Sequence, residues 1–465
     1  MDADRRDALA CFPAISRRTL LKGTAALSAA TAFLPLVAGR AAAQGTTLTV
    51  WGGVSSSEAG DALLGQQMQE WGAENGFEVE YVTWPLPDYA TQLTTAVEAG
   101  EAPDVVMMLQ GVSSQSTITL FYAEQGRLVD LTGVYNELKD LGGGMYETLL
   151  PWVESEGVIY SIPMQSDVSV MYARLDLIEE VTGERVAPAT LDELEQLATE
   201  INSPPQVYAI GLTVGRTPDA HAQIAQMILN EGGTLVDESG APAIDNPGTI
   251  AALERMKRWW DNGLIPENSA SWDDSGNNTA YNAGQAAFVF NPPSIFAYLE
   301  ANDPELLAET TQAPFPAGPA GNFPSVGTWS WSIFEGSPNV DAAKQMITAI
   351  MQPEQLQAVY EEVGGRWYPV YRDLAEAPFW QERPFFNDFP EIIENARPIW
   401  HPAEASPLLL SQLSAVYQTL VLPDMLQQVL INDMAPADAA ADAQTRMEQA
   451  FEEAAGGQAS ATPTA

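Results

Sequence analysis

Asp104 leads into Val105-Val106-Met107-Met108-Leu109, an unbroken apolar run flanked by polar residues. A strand with one face in water alternates apolar and polar side chains, so a short run without alternation predicts a strand covered on both faces, as in the middle of a parallel sheet. The residues ahead of it supply the rest of such a unit. Leu48, Val50 and Trp51 form a short apolar strand; Leu63, Leu64, Met68 and Trp71 recur at helical spacing between Ser57 and Glu74; Phe77, Val79 and Tyr81 alternate with Glu78 and Glu80; Tyr89, Leu93 and Val97 return every fourth residue. The order strand, helix, strand, helix, strand describes an open α/β layer whose strand-end loops face a crevice. Those loops are Gly52 to Ser57 and Gln110 to Ser116. Ser55 and Ser56 on the first, and Gln110 and Ser113 on the second, are therefore candidate ligand contacts, with loop solvation and helix capping as their structural alternative.

A second group of elements follows Ser161-Ile162-Pro163. Thr190 with Glu193 reads as a capping box for a helix through Leu194 and Leu197. Asn246 before Pro247 caps another, with Ile250, Leu253, Met256 and Trp260 as its buried stripe. Ala343, Met346, Ile347 and Ile350 mark a third, ended by Pro353. At 465 residues the chain is too long for one core, and two lobes are expected. From Ala454 onward the Ala/Gly/Ser/Thr/Pro composition has little to bury and reads as a disordered tail, residues 454–465.

The first residues predict export. Ser16-Arg17-Arg18-Thr19-Leu20-Leu21-Lys22 precedes an apolar run from Ala25 to Val37, and Ala41-Ala42-Ala43 offers a peptidase site before Gln44. This is the order of a twin-arginine signal, residues 1–43, and the run is broken by Pro35 short of the roughly 20 apolar residues that span a bilayer. The single cysteine, Cys11, lies inside this segment, so the mature chain is expected to carry no disulfide, no thiol nucleophile and no lipid anchor. His221 and His401 stand far apart, without neighbours at metal-ligand spacing, and no metal or cofactor is expected.

Charge narrows the partners. The chain has 20 basic and 62 acidic side chains, net −42, and only four lysines. Such a field repels nucleic acid. It suits high salt, where screening removes self-repulsion, although a GC-rich genome also depletes lysine.

Several segments in this order resemble the family 1 extracellular solute-binding proteins of ATP-driven importers, which include the maltose- and other sugar-binding proteins. They are Ala102-Pro103-Asp104-Val105-Val106, Gly126-Arg127-Leu128-Val129-Asp130-Leu131, Gly157-Val158-Ile159-Tyr160-Ser161-Ile162-Pro163 running on to Met171-Tyr172-Ala173-Arg174-Leu175-Asp176, Gly284-Gln285-Ala286-Ala287-Phe288, Phe315-Pro316-Ala317-Gly318-Pro319, Gly327-Thr328-Trp329-Ser330-Trp331-Ser332-Ile333 and Pro353-Glu354-Gln355. The resemblance covers nearly all of residues 46–453. It implies a two-lobed α/β fold with a hinge and an interlobe ligand cleft, a monomer that binds a small molecule, carbohydrate specificity in keeping with the family, and delivery to the transmembrane subunits of an ABC permease without chemistry. Lobe 1 is expected over 44–162 and 294–335, lobe 2 over 163–293 and 336–453. The family's Gly-Pro-Trp loop stands here as Asn291-Pro292-Pro293-Ser294, with Asn291 as a polar contact in place of an aromatic one.

Sugar recognition needs flat aromatic faces for C–H patches and carboxylates, amides or arginine for hydroxyls. The resemblance directs attention to Trp329 on a cleft-wall strand, to Trp272-Asp273-Asp274 in a polar loop, to Arg366-Trp367 after the Gly364-Gly365 turn, and to Asp167 just past the hinge. Core filling is the competing role for each tryptophan, as for Trp71 and Trp260. Arg216 and Arg366 are the cations placed near the cleft. Two other functions fit the composition. A cationic solute such as a polyamine would use an acidic and aromatic cage; a secreted glycoside hydrolase would need two carboxylates across a cleft. No nucleophile elbow, P-loop or zincin helix is present.

Overall fold

A computed structural model describes residues 47–55, 57–110, 118–324, 326–403 and 406–461. The expected signal segment, residues 1–43, and the candidate contacts Ser56 and Ser113 lie outside these residues. The strands of the two main sheets are β1 (Thr47–Gly53), β2 (Glu78–Trp84), β3 (Val105–Gln110), β4 (Ile162–Val168), β5 (Val170–Arg174), β6 (Tyr208–Ile210), β7 (Ala286–Asn291), β8 (Thr310–Ala313) and β9 (Val326–Ile333). The first sheet has the order β2-β1-β3-β9-β4 and the second β8-β5-β7-β6. β1 runs parallel to β2 and β3, while β9 lies antiparallel between β3 and β4.

The apolar run of β3 sits in the middle of the first sheet, and Val105, Val106, Met107 and Met108 are buried, as two covered faces require. Helix α1 (Glu58–Asn75) covers one face. Ser57 Oγ accepts from Gly60 N–H at its start, and Gly76, at φ 80°, stops it in the left-handed conformation that glycine adopts at least cost. Helix α2 (Leu86–Ala99) covers the other, burying Tyr89, Leu93 and Val97 as the four-residue spacing requires.

Around the second sheet stand α3 (Leu191–Ile201), α4 (Pro218–Asn230) and α5 (Pro247–Asp261). The Thr190–Glu193 capping box forms at the start of α3. Asn246 Oδ1 accepts from Thr249 N–H at the start of α5. On α5 the indole that enters the core is Trp259, not Trp260: the buried stripe passes through Leu253, Met256 and Trp259, and Trp260 stays half-buried.

The sheets place the crossings later than the sequence suggests. Ile162–Val168 pairs wholly within the first sheet and the chain leaves it at Ser169, because β4 continues its ladder with β9 as far as Val168–Val326. On the return, β8 still pairs with β5 in the second sheet. The helices α6 (Val340–Ile350) and α7 (Pro353–Glu362) pack on α1 in the first lobe, against the expectation that they belong to the second. Helices α8 (Pro407–Gln418), α9 (Val421–Leu430) and α10 (Pro436–Ala461) pack together beside α4 and α5. The last of these carries helix through Ala461, well past Ala454, where the composition predicts a disordered tail. Its buried Ala450 and Phe451 anchor the turn that the following small residues extend.

Trp152 ties the lobes near the crossing. Its indole N–H donates to the Val326 carbonyl on β9 at 2.9 Å, while its ring meets Trp400 edge to face at 4.7 Å. Among the described residues no helix is long and apolar enough to cross a membrane.

Candidate functional site

A cavity of about 720 Å³ opens between the two lobes, within the range of roughly 300–1,000 Å³ common to small-molecule sites. Its first-lobe wall is mainly apolar: Val54 and Pro85 after β1 and β2, Leu93 on α2, and Met107, Met108 and Leu109 on β3. Its second-lobe wall is polar, built from the start of α4, the loop before Gly276, and the end of β7.

Asp167 and Arg366 stand where the lobes meet. Arg366 Nη1 donates to Asp167 Oδ1 at 3.1 Å, and their side chains are 13% and 6% exposed. The turn that delivers Arg366 needs its two glycines, since Gly364 and Gly365 have φ of 62° and 75°. Beyond it, Ser166 N–H donates to the Tyr368 carbonyl. Of the candidates Arg366 and Trp367, only Arg366 reaches the cavity; Trp367, like Tyr368 after it, is buried in the core.

Trp329 does line the cavity, from β9. It is nonetheless only 2% exposed, because Trp367 packs edge to face behind it with ring centres 5.3 Å apart. Its indole closes the floor rather than offering an open platform. Asn291 also lines the cavity, with Nδ2 donating to Ser294 Oγ at 2.7 Å; Asn278 Nδ2 donates to the same oxygen at 3.0 Å, and its own Oδ1 has no partner. The family's aromatic loop is thus replaced by an amide and hydroxyl cluster.

Asp219, the second residue of α4, is nearly inaccessible, and Thr213, Gln223 and Asn277 all donate to its Oδ2. Asp274 accepts from the Asp219 backbone N–H at 3.0 Å. Burial, and then the neighbouring Asp274 charge, raise the Asp219 carboxyl well above its ordinary range. Desolvation by the surrounding cavity wall raises Asp274 as well, although the residue keeps access to solvent. Tyr417, on α8, is 5% exposed, with its ring edge-on to His221 at 5.1 Å and its hydroxyl unpartnered. Burial, followed by the Asp274 and Asp219 charges, pushes that hydroxyl's pKa up. Arg216 lies across the mouth, held by two hydrogen bonds to Asp424, which also accepts from Arg446.

The structure gathers Asp167, Asp274, Asn291, Trp329 and Arg366 from the sequence-derived set and leaves the other described ones outside the cavity. Ser55 N–H donates to the Asp61 carboxylate, and Ser55 Oγ donates to the Ser57 carbonyl, fastening the start of α1. Gln110 is fully buried, its Nε2 donating to Thr119 and Ser330 at 2.6 Å. Trp272 and Asp273 border a separate depression with Tyr208 and Gln285. There Trp272 packs over Gly276, while Asp273 accepts from Ser275 N–H and Oγ–H. Sequence reading misses Asp219, Asn278 and Tyr417. Thr217-Pro218-Asp219 carries a helix-start signature at a strand-end loop, a signal that points to the first; the other two come to the cavity by tertiary packing alone. Among the described residues no cluster of three or more His, Cys, Asp or Glu side chains could hold a metal ion.

A family model described as bacterial extracellular solute-binding protein matches residues 66–387, most of the chain. The chain belongs to this family. Members of the family are binding proteins and not enzymes. A probable ABC transporter-binding protein of Deinococcus radiodurans is 25% identical over 281 residues, 57% of this chain and 64% of that protein, so the match spans just under two thirds of that relative's length. A multiple sugar-binding protein of Streptococcus mutans is 23% identical over 65% of this chain and 71% of its own. Among solved structures, maltose-bound T. maritima MalE3 superposes with a TM-score of 0.72 at 22% identity, covering 86% of this solute-binding protein and 99% of the other. A sugar transporter from Arthrobacter chlorophenolicus with bound laminaribiose gives a TM-score of 0.73 at 16% identity, covering 87% and 99%. These likenesses establish the two-lobed fold.

Proposed function

We propose that this solute-binding protein captures a carbohydrate, an oligosaccharide or a glycoside, between its lobes outside the cytoplasmic membrane and passes it unaltered to an ABC permease. The observation that carries the reading is the two-walled cavity. An apolar surface of Val54, Pro85, Ala90 and Leu109, backed by the buried Leu93, Met107 and Met108, faces a polar rim of carboxylates, amides and an arginine. A pyranose presents the same division, with C–H patches on its faces and hydroxyls at its edge. The names of the Streptococcus relative and of the sugar-bound structural neighbours support the same class of ligand.

Binding works by closure. A ligand touching Leu109 on one side and Asn291 on the other favours the conformation in which both contacts exist together, and its differential affinity sets how far the population moves. Several buried hydrogen bonds and apolar contacts, each worth roughly 1–3 kcal/mol, together bring affinity to the micromolar range near roughly −8 kcal/mol. The test is a thermal-shift and calorimetric screen over mono- and oligosaccharides, followed by small-angle scattering with the best binder. A raised Tm, a smaller radius of gyration and recovery of intact sugar are expected. A saturating sugar that leaves the radius unchanged removes the closure mechanism, and release of cleaved products removes the binding-only role.

A further inference from the structure

The cavity's charges are unevenly partnered. Arg366 is held by Asp167, and Arg216 by Asp424. Asp219 and Asp274, on the second-lobe wall with Arg216, form no ion pair among the described residues. Asp219 accepts from Thr213, Gln223 and Asn277, which are all neutral and all bond Oδ2, while Asp274 takes the Asp219 backbone N–H on Oδ1. Beside them the Tyr417 hydroxyl, more than nine-tenths buried and lining the same cavity, has no hydrogen-bond partner, nor has Asn278 Oδ1. An orphaned buried hydroxyl costs roughly 1–3 kcal/mol, so a site that keeps one is short of a group which the ligand brings.

What is missing has a defined chemistry. Two adjacent carboxylates, an amide oxygen and a phenol oxygen are acceptors, and a neutral hydroxyl can donate only one hydrogen bond among them. An ammonium donates three and also neutralises one charge in a space that closure dries. We infer that Asp219, Asp274, Asn278 and Tyr417 form a subsite for a protonated amino group, so that the ligand is an amino-substituted carbohydrate. This inference rests on the carbohydrate reading and narrows it. The raised carboxyls fit the empty state, in which the pair avoids holding two charges by retaining a proton. The arriving ammonium takes the place of that proton, which leaves to solvent.

The experiment titrates the purified protein at low salt with three probe sets: neutral oligosaccharides including cellobiose and maltose; amino-saccharides including chitosan disaccharide and kanamycin; and the simple amines putrescine and spermidine. The expected result is that an amino-saccharide binds at least tenfold more tightly than its hydroxyl counterpart, and that added NaCl erodes the difference. Asp274→Asn, at an accessible carboxylate, should abolish the difference while leaving Tm in place. Tyr417→Phe should weaken the amine severalfold without altering salt sensitivity. Neutral sugars binding as well as their amino counterparts overturn the subsite and leave the carbohydrate reading standing. Amines binding where no saccharide does uphold the subsite and overturn the carbohydrate reading, and no binding in any set overturns both.

Discussion

Asp167 and Arg366 show how much a single pair at the lobe junction decides. Both side chains are largely buried, so removing either strands the other's charge out of water, at a cost of about 3–5 kcal/mol. Asp167→Asn and Arg366→Gln should each lower stability in urea unfolding by more than the double variant does, and a cycle with additive losses would show that the pair is not coupled. His221 acts through pH. Burial pushes its imidazole from an ordinary 6.5 down to about 4, so the unfolded chain takes up the proton first. Its effect on stability is therefore absent above pH 6.5 and grows as the pH falls toward 4, reaching on the order of 3 kcal/mol. The raised Asp219 carboxyl works the other way, favouring the native state in acid. Comparing Tm against pH for the protein and His221→Gln isolates the histidine; the variant should lose less stability between pH 6.5 and 4, and parallel curves would exclude the effect.

Elements are the most legible level. Capping boxes, proline starts and four-residue apolar spacing depend on neighbours within one or two turns, which is why the starts of α3 and α5 and the core face of α2 can be read from the residues alone. The Gly364-Gly365 turn is equally visible, but not its outcome: the pairing of Ser166 with Tyr368 sends Trp367 inward and leaves Arg366 alone in the cavity. Gly365→Ala should test this turn. An added Cβ would lie 2.9 Å from the Phe386 ring at a φ of 75°, and the left-handed backbone costs a non-glycine residue about 1–2 kcal/mol. A lower Tm together with weaker ligand binding is expected; an unchanged Tm would mean that the turn relaxes freely.

At the scale of the whole molecule, charge and topology dominate. A net charge of −42 opposes compaction, and screening shortens its reach from about 10 Å at 0.1 M salt to about 3 Å at 1 M. Thermal unfolding in rising NaCl should therefore move to higher temperature by several degrees, with a falling Tm as the contrary result. Topology is what local patterning does not carry. Helices α6 and α7 look like any amphipathic pair, and nothing in their own residues shows that they return to α1.

The order of strands and helices, their caps, the buried central strand and the family are properties of short segments, and the sequence by itself determined them, because each depends on contacts a few residues long. The composition of the cavity was decided by tertiary structure. Whether Trp329 offers a face or only an edge depends on Trp367 packing behind it; whether Asp219 has a charged partner depends on Arg216 turning to Asp424; and whether Tyr417 meets either depends on α8 folding back against α4. Burial and pairing are set by residues far apart in the chain, so they exist only once the packing does.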